Sequence, residues 1–150
     1  NIRPGFITDA TSYRARIARM MACADIVKLS DEDLHWLQGE GDLTTLARAI
    51  LAQGPSVVFI TEGASGARAV TATQDRFVAA TRVTVADTVG AGDTFNAGVL
   101  AALHAAGALN KAALAALPDA TLDAALSLGT RAAAITVSRP GANPPWSHEL

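Results

Sequence analysis

The segment at residues 87–98, which reads D-T-V-G-A-G-D-T-F-N-A-G, constrains the fold of this chain more than any other feature. It follows residues 82–86, whose alternating valines predict a β-strand, and it opens an Ala- and Leu-rich pattern that predicts a helix over residues 92–104. Gly90 and Gly92 would then lie in a strand-to-helix turn, where glycine permits close approach of a ligand. The first N–H groups of a helix lack internal partners and favour an anion.

Asp93 adds a carboxylate beside this predicted anion site. A carboxylate placed there can accept a proton next to a bound phosphate, as phosphoryl transfer requires. Two other phosphate-binding motifs do not fit. The Rossmann fingerprint needs a small residue where Phe95 stands, and a P-loop needs a lysine, which is absent near this segment. A Gly-x-Gly turn with an acid can also be a plain loop with a helix-dipole partner, but the complete twelve-residue string favours the phosphate site.

Residues 87–98 resemble the C-terminal signature D-T-x-G-A-G-D of the ribokinase-like (PfkB) carbohydrate kinases. The resemblance implies that Gly90, Ala91 and Gly92 hold the transferring phosphate. It also implies that Asp93 contacts the sugar and acts as the base for its hydroxyl. ATP is then the phosphate donor, and Mg²⁺ accompanies it.

A second turn at residues 61–66, T-E-G-A-S-G, follows a continuous apolar run that predicts a central strand. It resembles the family motif T-x-G-x-x-G, which implies that Thr61, Gly63 and Gly66 lie against the nucleotide phosphates. By itself such a turn is more often a plain hairpin turn, but its pairing with residues 87–98 favours the nucleotide site. Because ligands bind at the carboxyl ends of the strands in open α/β sheets, we expect the two turns to face one crevice.

Strands alternate with helical patterns along the chain, which predicts an α/β fold with a largely parallel sheet covered by helices on both faces. Residues 67–72 and 76–80 predict a hairpin within it. The resemblance implies a ribokinase-like sheet, with residues 1–150 forming the C-terminal part of a single domain. The N-terminal half of that domain and its β-stranded lid would lie outside this chain.

Residues 27–33, V-K-L-S-D-E-D, resemble the family segment N-x-x-E, whose residues organise water around magnesium. Ser30 and Asp33 stand at those two positions, which implies Asp33 as a water-mediated magnesium contact. A helix cap with a dipole partner is an equal alternative. Lys28 is expected either to approach the nucleotide phosphates or to be a strand-end surface lysine. Residues 1–3, N-I-R, resemble the end of the D-x-N-x-R segment of fructokinases and ketodeoxygluconate kinases. The resemblance implies that Arg3 contacts the substrate.

The resemblance also implies a monovalent-cation site beside the phosphate turn. Backbone groups of four residues stand at the matching positions, which are Asp87, Val89, Arg139 and Gly141. Pro145 replaces a serine that is often a ligand in ribokinases, so a K⁺ site would lack one of its usual ligands. Thr130 stands at the position of an asparagine that contacts adenine.

Charge and composition exclude several classes of function. The formal net charge of −2 argues against a nucleic-acid partner held by bulk electrostatics. The longest uncharged run, residues 94–110, contains polar residues and falls short of a membrane span. A single cysteine, Cys23, excludes an internal disulfide and favours a cytoplasmic location.

Family members often form homodimers through the lid, which this chain lacks.

These patterns together predict an ATP-dependent sugar kinase that is most similar to fructokinases. A kinase for another small substrate, such as 2-keto-3-deoxygluconate, ribose or a nucleoside, is one alternative. A fragment that binds nucleotide without transferring phosphate is another, because the sugar contacts and the lid would belong to the other half of the domain.

Overall fold

The computed structural model describes residues 2–150 as two helical layers around a four-stranded sheet. Short 3₁₀ turns at Pro4–Phe6 and Ser147–Glu149 flank the described chain. In chain order the elements are α1 (Ala10–Met21), β1 (Ile26–Ser30), α2 (Asp31–Gln38), α3 (Leu43–Leu51), β2 (Val57–Thr61), β3 (Gly66–Val70), β4 (Asp75–Ala79), α4 (Ala91–Ala105), α5 (Lys111–Leu114) and α6 (Asp119–Val137). Across residues 2–150, no helix combines the length and the apolar character needed to cross a membrane.

The sheet has the order β1-β2-β3-β4 and is mixed. β1 and β2 run parallel, so that Ser30 and Thr61 are register partners at their carboxyl ends. β2 pairs with β3, and β3 with β4, in antiparallel fashion. The predicted hairpin and the α/β class are therefore confirmed, and the hairpin accounts for one of the two antiparallel pairings.

Strand β2 is central, as predicted, because its side chains supply both hydrophobic layers. Val57 and Phe59 pack in a core with α4, α5 and α6, whereas Val58 and Ile60 pack in a second core with α1, α2 and α3. All four of these side chains are fully buried. This alternation follows from the period of two along a strand, and it confirms that helices cover both faces of the sheet.

Several helices begin where short polar side chains satisfy the first N–H groups. Ser30 Oγ accepts a hydrogen bond from the Asp33 N–H at 3.0 Å, and three acidic residues follow in the first turn of α2. Asp9, Asp42 and Asn110 cap α1, α3 and α5 in the same way. These caps fix where each helix starts, and the cap at Ser30 was predicted from the sequence.

The prediction of a strand over residues 82–86 is wrong. The structure gives these residues no strand, and Val83 and Val85 are 39% and 59% exposed. Their alternation matches a strand, but a strand needs a hydrogen-bonding neighbour and an apolar face to cover. Instead, the Ala86 N–H donates to the Val137 carbonyl at the end of α6, so the segment approaches α4 as an extended connection.

Helices α4 and α6 form the most extensive helix–helix contact of the structure. Their backbones approach most closely at two glycines. A Cβ on Gly98 would lie 2.8 Å from Gly129 Cα, and a Cβ on Gly129 would lie 2.9 Å from ring carbons of Phe95. Because real Cβ atoms do not approach so closely, any side chain at either position would push the helices apart.

We expect Gly98→Ala to destabilise the protein by roughly 1–3 kcal/mol through overpacking. Helix propensity acts in the opposite direction and would favour alanine by about 0.5–1 kcal/mol, so a net loss identifies the close contact. Urea unfolding measures the change. Gly5→Ala is the control, because a Cβ there has no neighbour within 4 Å. Equal unfolding midpoints for the two variants would contradict the described helix contact.

Candidate functional site

A cavity of about 350 Å³ lies where the N terminus of α4 meets β1. Its lining combines charged and amide groups with aliphatic side chains. The lining residues are Ile26, Lys28, Gly92, Asp93, Asn96 and Leu100. The structure therefore brings together three of the residues predicted from the sequence, namely Lys28, Gly92 and Asp93.

The first turn of α4 presents the polar groups of this cavity. Gly90 is the N-cap residue and has φ +81°, in the left-handed region that favours glycine. A Cβ on Gly90 would lie 3.0 Å from Ala142 Cβ, so this position also needs glycine to pack against the C-terminal loop. The Ala91 N–H donates to the Thr88 carbonyl at 3.3 Å. The N–H groups of Gly92 and Asp93 have no helical partner by geometry, and they are the donors available to an anion.

Lys28 extends from β1 across the sheet toward this helix terminus. Its Nζ lies 6.0 Å from the centroid of the Phe95 ring. Burial lowers the pKa of Lys28, while the negative charges of Asp33 and Asp93 oppose this shift. Lys28 is thus a half-buried lysine in the cavity lining rather than a fully exposed one, and its approach to the nucleotide phosphates stays a prediction.

Asp33 lies in the first turn of α2, next to the carboxyl end of β1. Its Oδ1 accepts a hydrogen bond from the Ile2 N–H at 2.9 Å, and its own N–H is bonded to the Ser30 cap. Asp33 therefore holds the start of the described chain against α2. The structure thus confirms the helix cap at Ser30, whereas the water-mediated magnesium contact of Asp33 stays a prediction.

The turn that follows β2 is held by the backbone. Glu62 N–H donates to the Gly66 carbonyl at 2.8 Å, and Ser65 N–H donates to the Glu62 carbonyl at 3.0 Å. Gly66 has φ +143°, and a Cβ there would lie 2.2 Å from the Val78 carbonyl oxygen. Gly63 has φ +55° and open space around it. The hairpin thus requires glycine at residue 66, whereas residue 63 leaves room for a ligand above the turn.

The structure does not place this second turn in the lining of the α4 cavity. Thr61 lies at the carboxyl end of β2 beside Ser30, its register partner on β1. The carboxyl ends of β1 and β2 thus lie side by side, and the expectation that the two turns face one crevice stays a prediction. The nucleotide-binding roles of Thr61, Gly63 and Gly66 stay predictions.

Asp87 joins the α4 turn to the C-terminal loop. Its Oδ1 accepts a hydrogen bond from the Val89 N–H at 3.0 Å, and its Oδ2 accepts one from the Gly141 N–H at 2.9 Å. These bonds lower the pKa of Asp87, with the Val89 bond as the largest cause and the Gly141 bond as the next. The Asp87 side chain thus fixes the two loops that the predicted K⁺ site would need.

Arg139 and Gly141 lie in this C-terminal loop, and Arg139 forms an ion pair with Glu149. The Gly141 carbonyl accepts a hydrogen bond from the Asn143 N–H at 2.9 Å. The loop is thus ordered by its own side-chain and backbone bonds. Whether the backbone groups of Asp87, Val89, Arg139 and Gly141 hold K⁺ stays a prediction.

Two predicted site residues lie apart from the α4 cavity. Thr130 is buried in α6, and its hydroxyl donates to the Leu126 carbonyl at 2.8 Å. Arg3 is exposed and lines a different cavity of about 430 Å³ with Tyr13 and Arg16. The structure does not bring Arg3 or Thr130 to Asp93, and their predicted roles depend on ligands that extend beyond this cavity.

Sequence reasoning missed Asn96 and the two aliphatic residues of the cavity. Asp93, Asn96 and Leu100 are spaced three and four residues apart, so they form one stripe along α4. That spacing was visible in the sequence, but only the packing of α6 on the opposite side of α4 shows which stripe faces the cavity.

Within residues 2–150, no group of three or more His, Cys, Asp or Glu side chains is placed to hold a metal ion directly. Mg²⁺ commonly binds through one or two carboxylates, water and substrate phosphates rather than an all-protein cage. Asp93 supplies one carboxylate to the cavity, and the water-mediated magnesium contact of Asp33 stays a prediction.

Comparison with known proteins identifies relatives over almost the entire chain. Residues 1–149 match the model of the pfkB family of carbohydrate kinases. A fructokinase from Rhizobium leguminosarum bv. trifolii is 52% identical over 122 residues, which are 81% of this chain and 37% of that protein.

Solved structures give the same result. Aminoimidazole riboside kinase from Salmonella enterica, complexed with aminoimidazole riboside and an ATP analogue, superimposes with a TM-score of 0.78 at 32% identity, over 95% of this chain and 45% of that one. Fructokinase from Vibrio cholerae O395, with fructose, ADP and calcium bound, gives a TM-score of 0.77 at 28% identity, over 94% and 44% of the two chains. The chain thus spans less than half the length of these relatives.

We expect Asp87→Ala to release the C-terminal loop, because it removes both backbone hydrogen bonds. Hydrogen exchange at the Gly141 amide should become several-fold faster, while the amides of β2 keep their protection. Asp9→Ala is the control, since it removes a comparable carboxylate–backbone bond at α1. Unchanged exchange at Gly141 in the Asp87 variant would contradict the role of Asp87 in holding the C-terminal loop.

The same bonds predict a pH dependence in the unmodified protein. Because the pKa of Asp87 is lowered in the folded state, its stabilising contribution is complete above the unfolded value of about 3.9 and is lost as the pH falls below it. Protection of the Gly141 amide, corrected for intrinsic exchange, should therefore decrease on acidification below that value. Protection that stays constant down to the acid unfolding transition would argue against this role.

Proposed function

The chain belongs to the pfkB family of carbohydrate kinases, and on that basis we propose that it forms the phosphate-transferring part of an ATP-dependent sugar kinase. In this proposal, residues 1–150 are the C-terminal part of one ribokinase-like domain. The observation that carries it is the position of Asp93, in a cavity that also contains Lys28 and the free N terminus of α4. A base, a cation and two helix-terminal N–H groups are the parts that phosphoryl transfer needs.

Three residues of the cavity, Lys28, Gly92 and Asp93, then have defined tasks. The N–H groups of Gly92 and Asp93 receive the γ-phosphate of ATP, with Gly90 and Ala91 setting the shape of the turn. The Asp93 carboxylate accepts the proton of the sugar hydroxyl as the hydroxyl oxygen attacks the γ-phosphorus, and the bond between that phosphorus and ADP breaks so that ADP leaves. Lys28 neutralises negative charge that accumulates on the phosphoryl oxygens. Asp33 would hold a water of a magnesium ion that accompanies ATP, and that ion would neutralise further phosphate charge.

The rest of the nucleotide would lie along the carboxyl edge of the sheet. We assign its phosphates to the turn at Thr61, Gly63 and Gly66, which borders this edge through the register of β1 and β2. Thr130 and the C-terminal loop would border the adenine. A K⁺ ion beside Asp87 belongs to the same proposal, as do homodimer formation through a lid outside this chain and a cytoplasmic location.

Fructose is the proposed substrate, because the relative that is 52% identical carries the name fructokinase. A nucleoside-like substrate is the second candidate, because the Salmonella structure at 32% identity holds aminoimidazole riboside. Arg3 would contribute to the choice of substrate from its separate cavity. ADP release from MgATP by the full-length protein, tested with fructose, ribose, 2-keto-3-deoxygluconate and aminoimidazole riboside, decides between these candidates. If no acceptor in the panel stimulates ADP release, the alternative of a chain that binds nucleotide without transferring phosphate is favoured.

We expect Asp93→Asn to lower kcat about 10²–10⁴-fold, the usual contribution of a positioned general base, while the Kd for ATP changes little. Steady-state kinetics with fructose and calorimetric titration with ATP measure the two quantities. Asp119→Asn is the matched control, since Asp119 is the acidic residue in the first turn of α6 and lies outside the cavity. Wild-type kcat in the Asp93 variant would rule out this residue as the base.

A further inference from the structure

The turn at residues 61–66 carries a negative charge where the proposed function requires a phosphate to pass. Glu62 lies between Thr61 and Gly63, two of the three residues assigned to nucleotide binding, and its side chain is 14% exposed. A carboxylate in this position repels a polyphosphate unless a cation compensates it. The neighbouring cation is therefore the residue to examine.

Arg68 on β3 is that cation. Its Nε donates to Glu62 Oε1 at 3.1 Å, and its side chain is 24% exposed. One terminal nitrogen of the same guanidinium donates to both carboxylate oxygens of Asp75 on β4, at 2.9 and 3.0 Å. Thr44 on α3 in turn donates to Asp75 at 2.6 Å. The guanidinium thus ties the turn to three separate elements, β3, β4 and α3.

The register of β3 shows on which face of the sheet the Arg68 side chain lies. Its neighbours Ala67 and Ala69 pack in the core on the α4 and α6 side of the sheet. Because side chains alternate along a strand, Arg68 points to the opposite face, where Thr44 and the Phe77 ring meet it. The guanidinium therefore lies behind the turn, on the face away from the α4 N terminus.

We propose that Arg68 is a positioning residue for the nucleotide: it holds the Glu62 carboxylate behind the turn and compensates its charge, so that residues 61–66 can accept the phosphates of ATP. The proposal rests on the proposed function. It involves no direct contact between Arg68 and ATP, because the guanidinium is already engaged by two carboxylates on the other face of the sheet.

Kinetics of the full-length protein with fructose as acceptor test this role. Arg68→Met leaves the Glu62 charge without its cation, and KM for MgATP should rise about three- to tenfold while kcat stays within about twofold. The double variant Arg68→Met/Glu62→Gln should regain most of the wild-type KM, because it removes the negative charge at the turn that Arg68 compensates. Glu62→Gln alone should change KM little.

Arg76→Met is the matched control, since Arg76 on β4 pairs with Asp119 and Asp123 of α6 and does not contact the turn. Its KM for MgATP should stay at the wild-type value. If Arg68→Met does not fold, Arg68→Lys carries the test. Lysine keeps the positive charge but loses the two-pronged geometry of the guanidinium, so the KM of Arg68→Lys should lie above the wild-type value and below that of a folded Arg68→Met. If Arg68→Met does not fold, the raised KM of Arg68→Lys should be restored by Glu62→Gln.

An unchanged KM in the Arg68 variants of an active protein overturns this inference and leaves the proposed function intact. A KM that rises but is not restored by Glu62→Gln also overturns it, because a direct contact or a loss of packing would behave in that way. A wild-type protein that does not bind ATP overturns the proposed function, and the inference with it.

Discussion

The close packing of α4 against α6 is the contact on which the rest of the structure depends. Gly98 and Gly129 let the two backbones meet without an intervening side chain, and Phe95 fills the space beside them. Because α4 is fixed in this way, its first turn is held at one place above β1. A small displacement of the helix would move Asp93 and the free N–H groups together.

The same packing explains the electrostatics of the site. Lys28 would be costly to bury by itself, yet it lies beneath the helix terminus because Asp33 and Asp93 offset part of that cost. The Asp93 carboxylate and the Lys28 ammonium group thus share a small cavity with aliphatic walls at Ile26 and Leu100, and Asp33 acts on Lys28 from outside the cavity lining. Such a cavity suits a ligand that brings both negative charge and a polar hydroxyl.

A second polar network stabilises the opposite side of the sheet. Arg68, Glu62, Asp75 and Thr44 connect the β2–β3 turn to the hairpin and to α3. The Asp87 carboxylate performs a comparable task between the α4 turn and the C-terminal loop. In both places a charged side chain fixes a loop that borders the candidate site by bonding to a separate element of the fold.

Local patterns in the sequence determined the class of fold and the centre of the site. The apolar run of β2, the cap at Ser30 and the glycines beside Asp93 depend on short-range chemistry, so the α/β architecture, the start of α2 and the position of α4 could all be predicted. Only the tertiary structure decided what depends on contacts distant in sequence. Residues 82–86 form no strand because none of the strands within residues 2–150 pairs with them, and Asn96 lines the cavity because α6 occupies the other side of α4. Arg68 reaches Glu62 because β3 folds back on β2, and residue spacing alone does not encode such pairings.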